Sequence, residues 1–189
     1  MVSLWLAAHD QRGAVEEVLS GIGVRSSGYL VTESAFTTTG PGGAVAHPHR
    51  SGPGERGGTG EDVTRSPGIS TVAVVRRNPT FDPRSFREFW YGHQSPMSGE
   101  VQPRLHYTRN TVVHPVTPGA PPYDGIVVEC WPSVEVVDDP IAFHGGSEVG
   151  EENLVVMLDS VTQLFEMGSL RSLAMSEYLF GSWGDRSAT

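Results

Sequence analysis

Histidine, glutamate and the aromatic residues around them are the side chains in this sequence whose types and spacing suit chemistry. His93 follows Phe86, Phe89 and Trp90 at helical spacing, so a helix would carry all four on one apolar face. A histidine there is either a core residue with one ring nitrogen bonded to a backbone carbonyl, or a general acid or base tuned by burial. Glu129 alternates with Cys130 and shares a strand face with Val127 and Trp131. Among such neighbours a carboxyl is partly desolvated, which favours its neutral form and suits it to exchange a proton near neutrality. The plainer reading of Glu129 is an edge-strand charge paired with an arginine. His106 and His114 fall on one face of another alternating segment, with Thr108 and Asn110 between them. That set is too polar for a helix-packed core and is expected to face a pocket or solvent, leaving Leu105 and Tyr107 toward the helices. Arg109 and Thr111 beside Tyr107 keep the opposite assignment open. His106 is the better pocket candidate, and His114, next to Pro115, suits the surface at a strand end.

Other candidates have ordinary readings. Cys130 points away from Glu129 and reads as a small buried hydrophobe. Asp124, before Gly125, reads as a turn residue that bonds its own backbone. Phe143-His144-Gly145-Gly146 suits either a pocket lid or a simple turn. His47-Pro48-His49 lies in a glycine-rich stretch where nothing holds a coordination geometry, so no metal is expected. No G-x-G-x-x-G runs from a strand into a helix. No cofactor is expected, although a haem on one histidine would need no motif.

Composition removes further classes. All 13 basic residues are arginine, which excludes Schiff-base lysines, pyridoxal-phosphate attachment and lysine-dependent phosphate loops. A net charge of −9 argues against nucleic acid and against anionic membrane surfaces as partners. One cysteine permits no internal disulfide. The apolar run after Met1 stops at His9-Asp10, too short to span a bilayer, and a protein of the reducing cytoplasm is expected.

The elements that must position these residues follow from the patterning. Gly40 to Gly68 holds nine Gly and four Pro in 29 residues, too little apolar surface to offset its ordering entropy. Residues 37–68 are therefore expected to be a flexible linker, and 182–189 a disordered tail. Downstream, Gly68–Arg76 reads as a strand. Asp82 and Pro83 cap and open a helix that Pro96 ends. Arg104–Val116 and Gly125–Trp131 read as strands, Glu151–Glu166 as a helix and Leu173–Phe180 as a strand. This βαββαβ order is that of a ferredoxin-like α+β domain over 69–181. Residues 1–36 repeat half of it: strand Val2–Ala7, helix Gly13–Ser20 and strand Gly28–Phe36. Ser27-Gly28-Tyr29-Leu30 there corresponds to Ser176-Glu177-Tyr178-Leu179. A half unit, whether its first half lies upstream or was lost, leaves a strand edge to be covered. A homodimer is the expected cover.

Phe86, Trp90 and Pro96 in an F-x3-W-x5-P arrangement, Tyr107-x-Arg109-Asn110, and the closing Ser176-Glu177-Tyr178-Leu179 resemble the EthD family over about 69–181. The resemblance implies a dimeric α–β barrel, in which ferredoxin-like sheets pack face to face around a pocket. It also implies relatives that include decarboxylases, cyclases, isomerases and cofactor-free monooxygenases. The family commonly has W-x3-H-x-P. Here that histidine's place is taken by Gln94, which cannot exchange a proton near neutral pH. His93 would substitute only if its azimuth, about 100° away, faced the same pocket.

The function expected is a cofactor-independent enzyme of small-molecule metabolism acting on a hydrophobic, polyketide-like or aromatic molecule by cyclisation, dehydration, decarboxylation or isomerisation. His93, His106 and Glu129 would handle protons. Trp90, Gln94, Tyr107, Trp131, Phe143 and His144 would contact the substrate. The alternatives are a non-catalytic ligand-binding or accessory protein, which Gln94 favours, and a cofactor-free or haem-assisted oxygenase.

Overall fold

The computed structural model describes residues 1–4, 9–22, 25–36 and 63–180. Helix α1 (Arg12–Gly21) buries none of its residues. Strand β1 (Tyr29–Phe36) follows it, then β2 (Val63–Arg65) and β3 (Ile69–Val75). Helix α2 (Pro83–Phe89) begins where the sequence places it: Asp82 accepts from the Arg84 and Ser85 amides at 2.7 and 3.0 Å, and the Ser85 hydroxyl accepts from the Asp82 amide. This reciprocal box satisfies donors that the first turn leaves orphaned, and Pro83 needs no donor there.

Pro96 does not end this helix. The chain passes through a π-helical segment, Trp90–Gln94, into α3 (Ser95–Val101), where Pro96 sits in the first turn. A proline inside an α-helix clashes with the carbonyl four residues back and leaves it unbonded. Here the Ser95 amide reaches the Trp90 carbonyl, five residues back, so the widened turn accommodates the ring and the helical path continues.

Strands β4 (His106–Pro115) and β5 (Gly125–Trp131) come next, then short helices α4 (Val134–Asp138) and α5 (Pro140–Phe143) and the longer α6 (Gly150–Leu164). The expected final strand is divided into β6 (Arg171–Met175) and β7 (Tyr178–Phe180). At Glu177 the chain turns to a new partner: its carbonyl accepts from the Ser66 amide and its carboxylate from the Ser66 hydroxyl. Strands β2 and β7 then pair as a two-stranded ribbon. Residues 63–68 thus have defined structure, contrary to the linker expectation. His47, His49 and residues 181–189 lie outside the described residues.

The main sheet is antiparallel, in the order β1-β4-β5-β3-β6, so the protein is α+β. β1 adds to the outer edge of β4 over its whole length. Residues 2–4 of the expected first strand are not strand, and 5–8 lie outside the described residues.

Register assigns every sheet residue to a face. Tyr107 is opposite Glu129 and Phe36, Arg109 opposite Val127 and Ser34, and Glu129 opposite Thr71. This is the helix-covered face. Its core joins Val75, Tyr107 and Val127 to Phe86, Trp90, Leu164 and Phe165. Gly125 is required for that packing, because a β-carbon there would stand 2.7 Å from the Trp90 ring. The other face carries His106, Thr108, Asn110, Val72, Val74, Ile126, Val128 and Leu173. Val72, Thr108 and Asn110 on this face are buried, whereas Leu173, on the edge strand β6, is 67 % exposed. Among the described residues no helix is long and apolar enough to cross a membrane.

Candidate functional site

The helix-covered face carries more polar chemistry than a core needs, gathered around Tyr107. The Tyr107 hydroxyl accepts from the Trp90 indole at 2.8 Å and lies 3.4 Å from the Ser95 hydroxyl. Burial holds this phenol above its ordinary value, against the opposing pull of Arg104.

On one side of Tyr107 stands a satisfied ion pair. Arg104 Nη1 donates to Glu129 Oε1 at 2.7 Å and to Gln102 Oε1 at 2.8 Å, and Nη2 donates to the Ser98 hydroxyl at 2.6 Å. The guanidinium lies 3.9 Å from the centre of the Tyr107 ring. Only its Nε lacks an acceptor. The Arg104 side chain is 1 % exposed, whereas that of Glu129 keeps 15 %, so Glu129 is the member of the pair that solvent or a ligand can reach. Its other oxygen, Oε2, lies 3.5 Å from the Thr71 hydroxyl, which accepts from the Trp131 indole at 2.9 Å. Trp131 in turn stacks on Phe143 with ring centres 3.9 Å apart.

On the other side stands Arg109, 5 % exposed. Its Nη2 donates to the Ser34 hydroxyl at 3.0 Å, while its Nε and Nη1 are buried without an acceptor. Tyr91, from the π segment, lies over the guanidinium at 3.9 Å, and its hydroxyl is 2.6 Å from that of Thr111. Desolvation holds the Arg109 guanidinium below its ordinary value.

Glu129, Tyr107, Trp90, Gln94, Trp131 and Phe143 are therefore on the same side of the sheet. Trp90 and Trp131 are fully enclosed, so they hold the site in place and do not line open space. Glu129 is not an isolated carboxyl among apolar groups: it lies on an inner strand with an arginine bonded to it, which fits the plainer expectation except for its place in the sheet. Gln94 points inward and donates to Met157 Sδ at 3.7 Å, with its Oε1 buried and unpartnered. His93 is exposed and rests against Phe89. It does not replace a histidine at position 94, because the extra residue in the π turn hands the inward position to Gln94.

His106 lies on the opposite sheet face, bonded to the Thr108 hydroxyl, and is separated by the sheet from Glu129. His114 is exposed, as expected. His144 is buried, but its Nδ1 is engaged by the Pro140 carbonyl at 2.7 Å, a turn contact. Asp124 does not bond its own backbone; it accepts from the Arg77 amide and pairs with the Arg77 guanidinium. Cys130 is buried beside the Pro67 carbonyl, and burial pushes its thiol up. No group of histidine, cysteine and acidic residues among the described residues could hold a metal ion.

Compared with known proteins, the chain matches no family model and no curated protein. Sequence reasoning did not place Arg104, Arg109 or Tyr91 among the site candidates. The available signal was Arg109, two residues from Tyr107 on the same alternating face; Arg104 alternates with the other face and reaches Glu129 only because the strand begins after it.

Proposed function

We propose that this chain is an EthD-like, ferredoxin-like protein of the dimeric α–β barrel group and a cofactor-independent enzyme that moves protons on a hydrophobic small molecule. The observation that carries this reading is Glu129: a partly accessible side chain whose carboxylate is held on both oxygens and backed by an enclosed arginine. A carboxylate held in one orientation can take a proton from carbon or oxygen of a substrate and return it elsewhere, the step shared by cyclisation, dehydration, decarboxylation and isomerisation. Arg104 positions it, and Phe143, backed by the enclosed Trp131, supplies an aromatic wall.

The strand order β4-β5-β3-β6, with helical connections on one face, supports the ferredoxin-like reading. Leu173, exposed on the edge strand β6, supports a homodimer in which a second copy covers that edge. His106 would serve only in the space so enclosed, and His93 has no part in this mechanism.

A non-catalytic ligand-binding protein is the second reading. Gln94 favours it, since it spends its amide on packing at the place where the resemblance puts a histidine.

The test is carbon-bound proton exchange in D2O, followed by NMR over a panel of aromatic ketones and β-keto acids. The enzyme reading expects exchange above background with at least one compound. Glu129→Gln, with folding intact, should slow it at least about tenfold, within the usual contribution of a positioned acid or base. Panel members that raise the melting temperature without exchanging would support the binding reading.

A further inference from the structure

We infer that Arg109 is the receptor for a carboxylate on an aromatic ligand, a subsite distinct from the Glu129 pair. The inference rests on reading the helix-covered face as a small-molecule site. A guanidinium has five N–H donors and no acceptor role, and at 5 % exposure Arg109 has one acceptor, the Ser34 hydroxyl. Its Nε and Nη1 meet neither solvent nor an acceptor. No described carboxylate pairs with it. A buried charge left in that state is costly unless something completes it. Elsewhere on the same face the fold completes its arginine: Arg104 receives a carboxylate, an amide oxygen and a hydroxyl.

The surroundings indicate what is missing. The charge calls for an oxyanion, and arginine pairs with carboxylates through two parallel bonds from one edge of its fork. Three aromatic rings surround it: Tyr91 at 3.9 Å, Phe36 at 5.3 Å and Tyr107 at 6.0 Å. Such walls suit a flat apolar ligand body. Tyr91 is half-buried and belongs to the π segment, a helical irregularity frequent at functional positions. Its displacement from the guanidinium face is the movement that would admit the ligand.

The probe is sodium benzoate, titrated into the full chain by calorimetry and thermal melting, with sodium phosphate and sodium chloride at matched ionic strength. The expected result is a saturable benzoate response, larger than that of phosphate and absent with chloride. It should be lost in Arg109→Met and weakened at least tenfold in Arg109→Lys. In the unaltered protein, the Arg109 Nε–H resonance should move as benzoate is added. No benzoate response, one matched by chloride or exceeded by phosphate, or one that survives in Arg109→Met would overturn the inference. If Arg109→Met does not fold, an Nε–H resonance that stays fixed under excess benzoate overturns it. These readouts report binding alone, so the exchange experiment can fail while this site stands, and the reverse.

Discussion

Two buried arginines flank Tyr107 on one sheet face and meet opposite treatment. Arg104 is tied to Glu129, Gln102 and Ser98, and its charge is balanced inside the chain. Arg109 has Ser34 and aromatic faces, and no counter-charge among the described residues. Since desolvating either cation costs several kcal/mol, the difference separates a group that maintains its own surroundings from one whose balance is left to something else. The first pair fixes a carboxylate where a ligand can reach it, and the second leaves donors waiting.

The difference between the two arginines should show most strongly at Glu129. Glu129→Ala leaves Arg104 enclosed without its carboxylate, and should lower unfolding free energy by about 3–5 kcal/mol, read by urea denaturation. A loss below about 1 kcal/mol would show that the pair is not integral to the fold. A smaller loss is expected from Tyr107→Phe, which strands the Trp90 indole donor at a cost of about 1–3 kcal/mol. Gly125→Ala should cost a similar amount, about 1–3 kcal/mol, because its methyl overlaps the Trp90 ring; an unchanged denaturation midpoint would mean that the ring has room to move.

Tyr107 also sharpens the comparison through pH. Its folded pKa is raised, so the neutral phenol is the form the fold favours. That contribution is complete below the ordinary tyrosine value of about 10 and is lost as pH rises through the folded value. Thermal melts should therefore fall above about pH 10, and Tyr107→Phe should flatten the fall. Part should remain, because Tyr29 is raised as well, chiefly by burial. The smallest effect belongs to Asp82, whose carboxyl is held below its ordinary range by the Ser85 and Arg84 amides. Asp82→Ala should lower the melting temperature slightly near neutrality. That difference should vanish in acid, as pH falls through the folded value.

Much of this arrangement was legible in the sequence because it depends on local rules. Asp82-Pro83 announces a helix start wherever it stands, and strict alternation put Tyr107 and His106 on opposite faces, although the polar Arg109 and Thr111 left open which face the helices would cover. Gly125–Trp131 was bounded by its turn and its run of β-branched residues. What escaped was set by tertiary geometry. The π segment inserts one residue into the helical phase, which no 3.6-residue template contains, and so His93 was expected inside while Gln94 took that place. Strand β1 joins β4 across a long intervening segment, a pairing that patterning cannot rank. The Arg104–Glu129 pair links two strands, and whether an alternating glutamate meets a cation or bare apolar surface is decided by register.

The most direct test is a side-by-side urea denaturation of Arg104→Met and Arg109→Met in the absence of ligand. Arg104→Met should lose about 3–5 kcal/mol, because it strands a carboxylate. Arg109→Met should be unchanged or gain up to about 4 kcal/mol, because it removes an uncompensated charge. Equal losses in the two variants would contradict this contrast, since both guanidiniums would then be serving the fold alike.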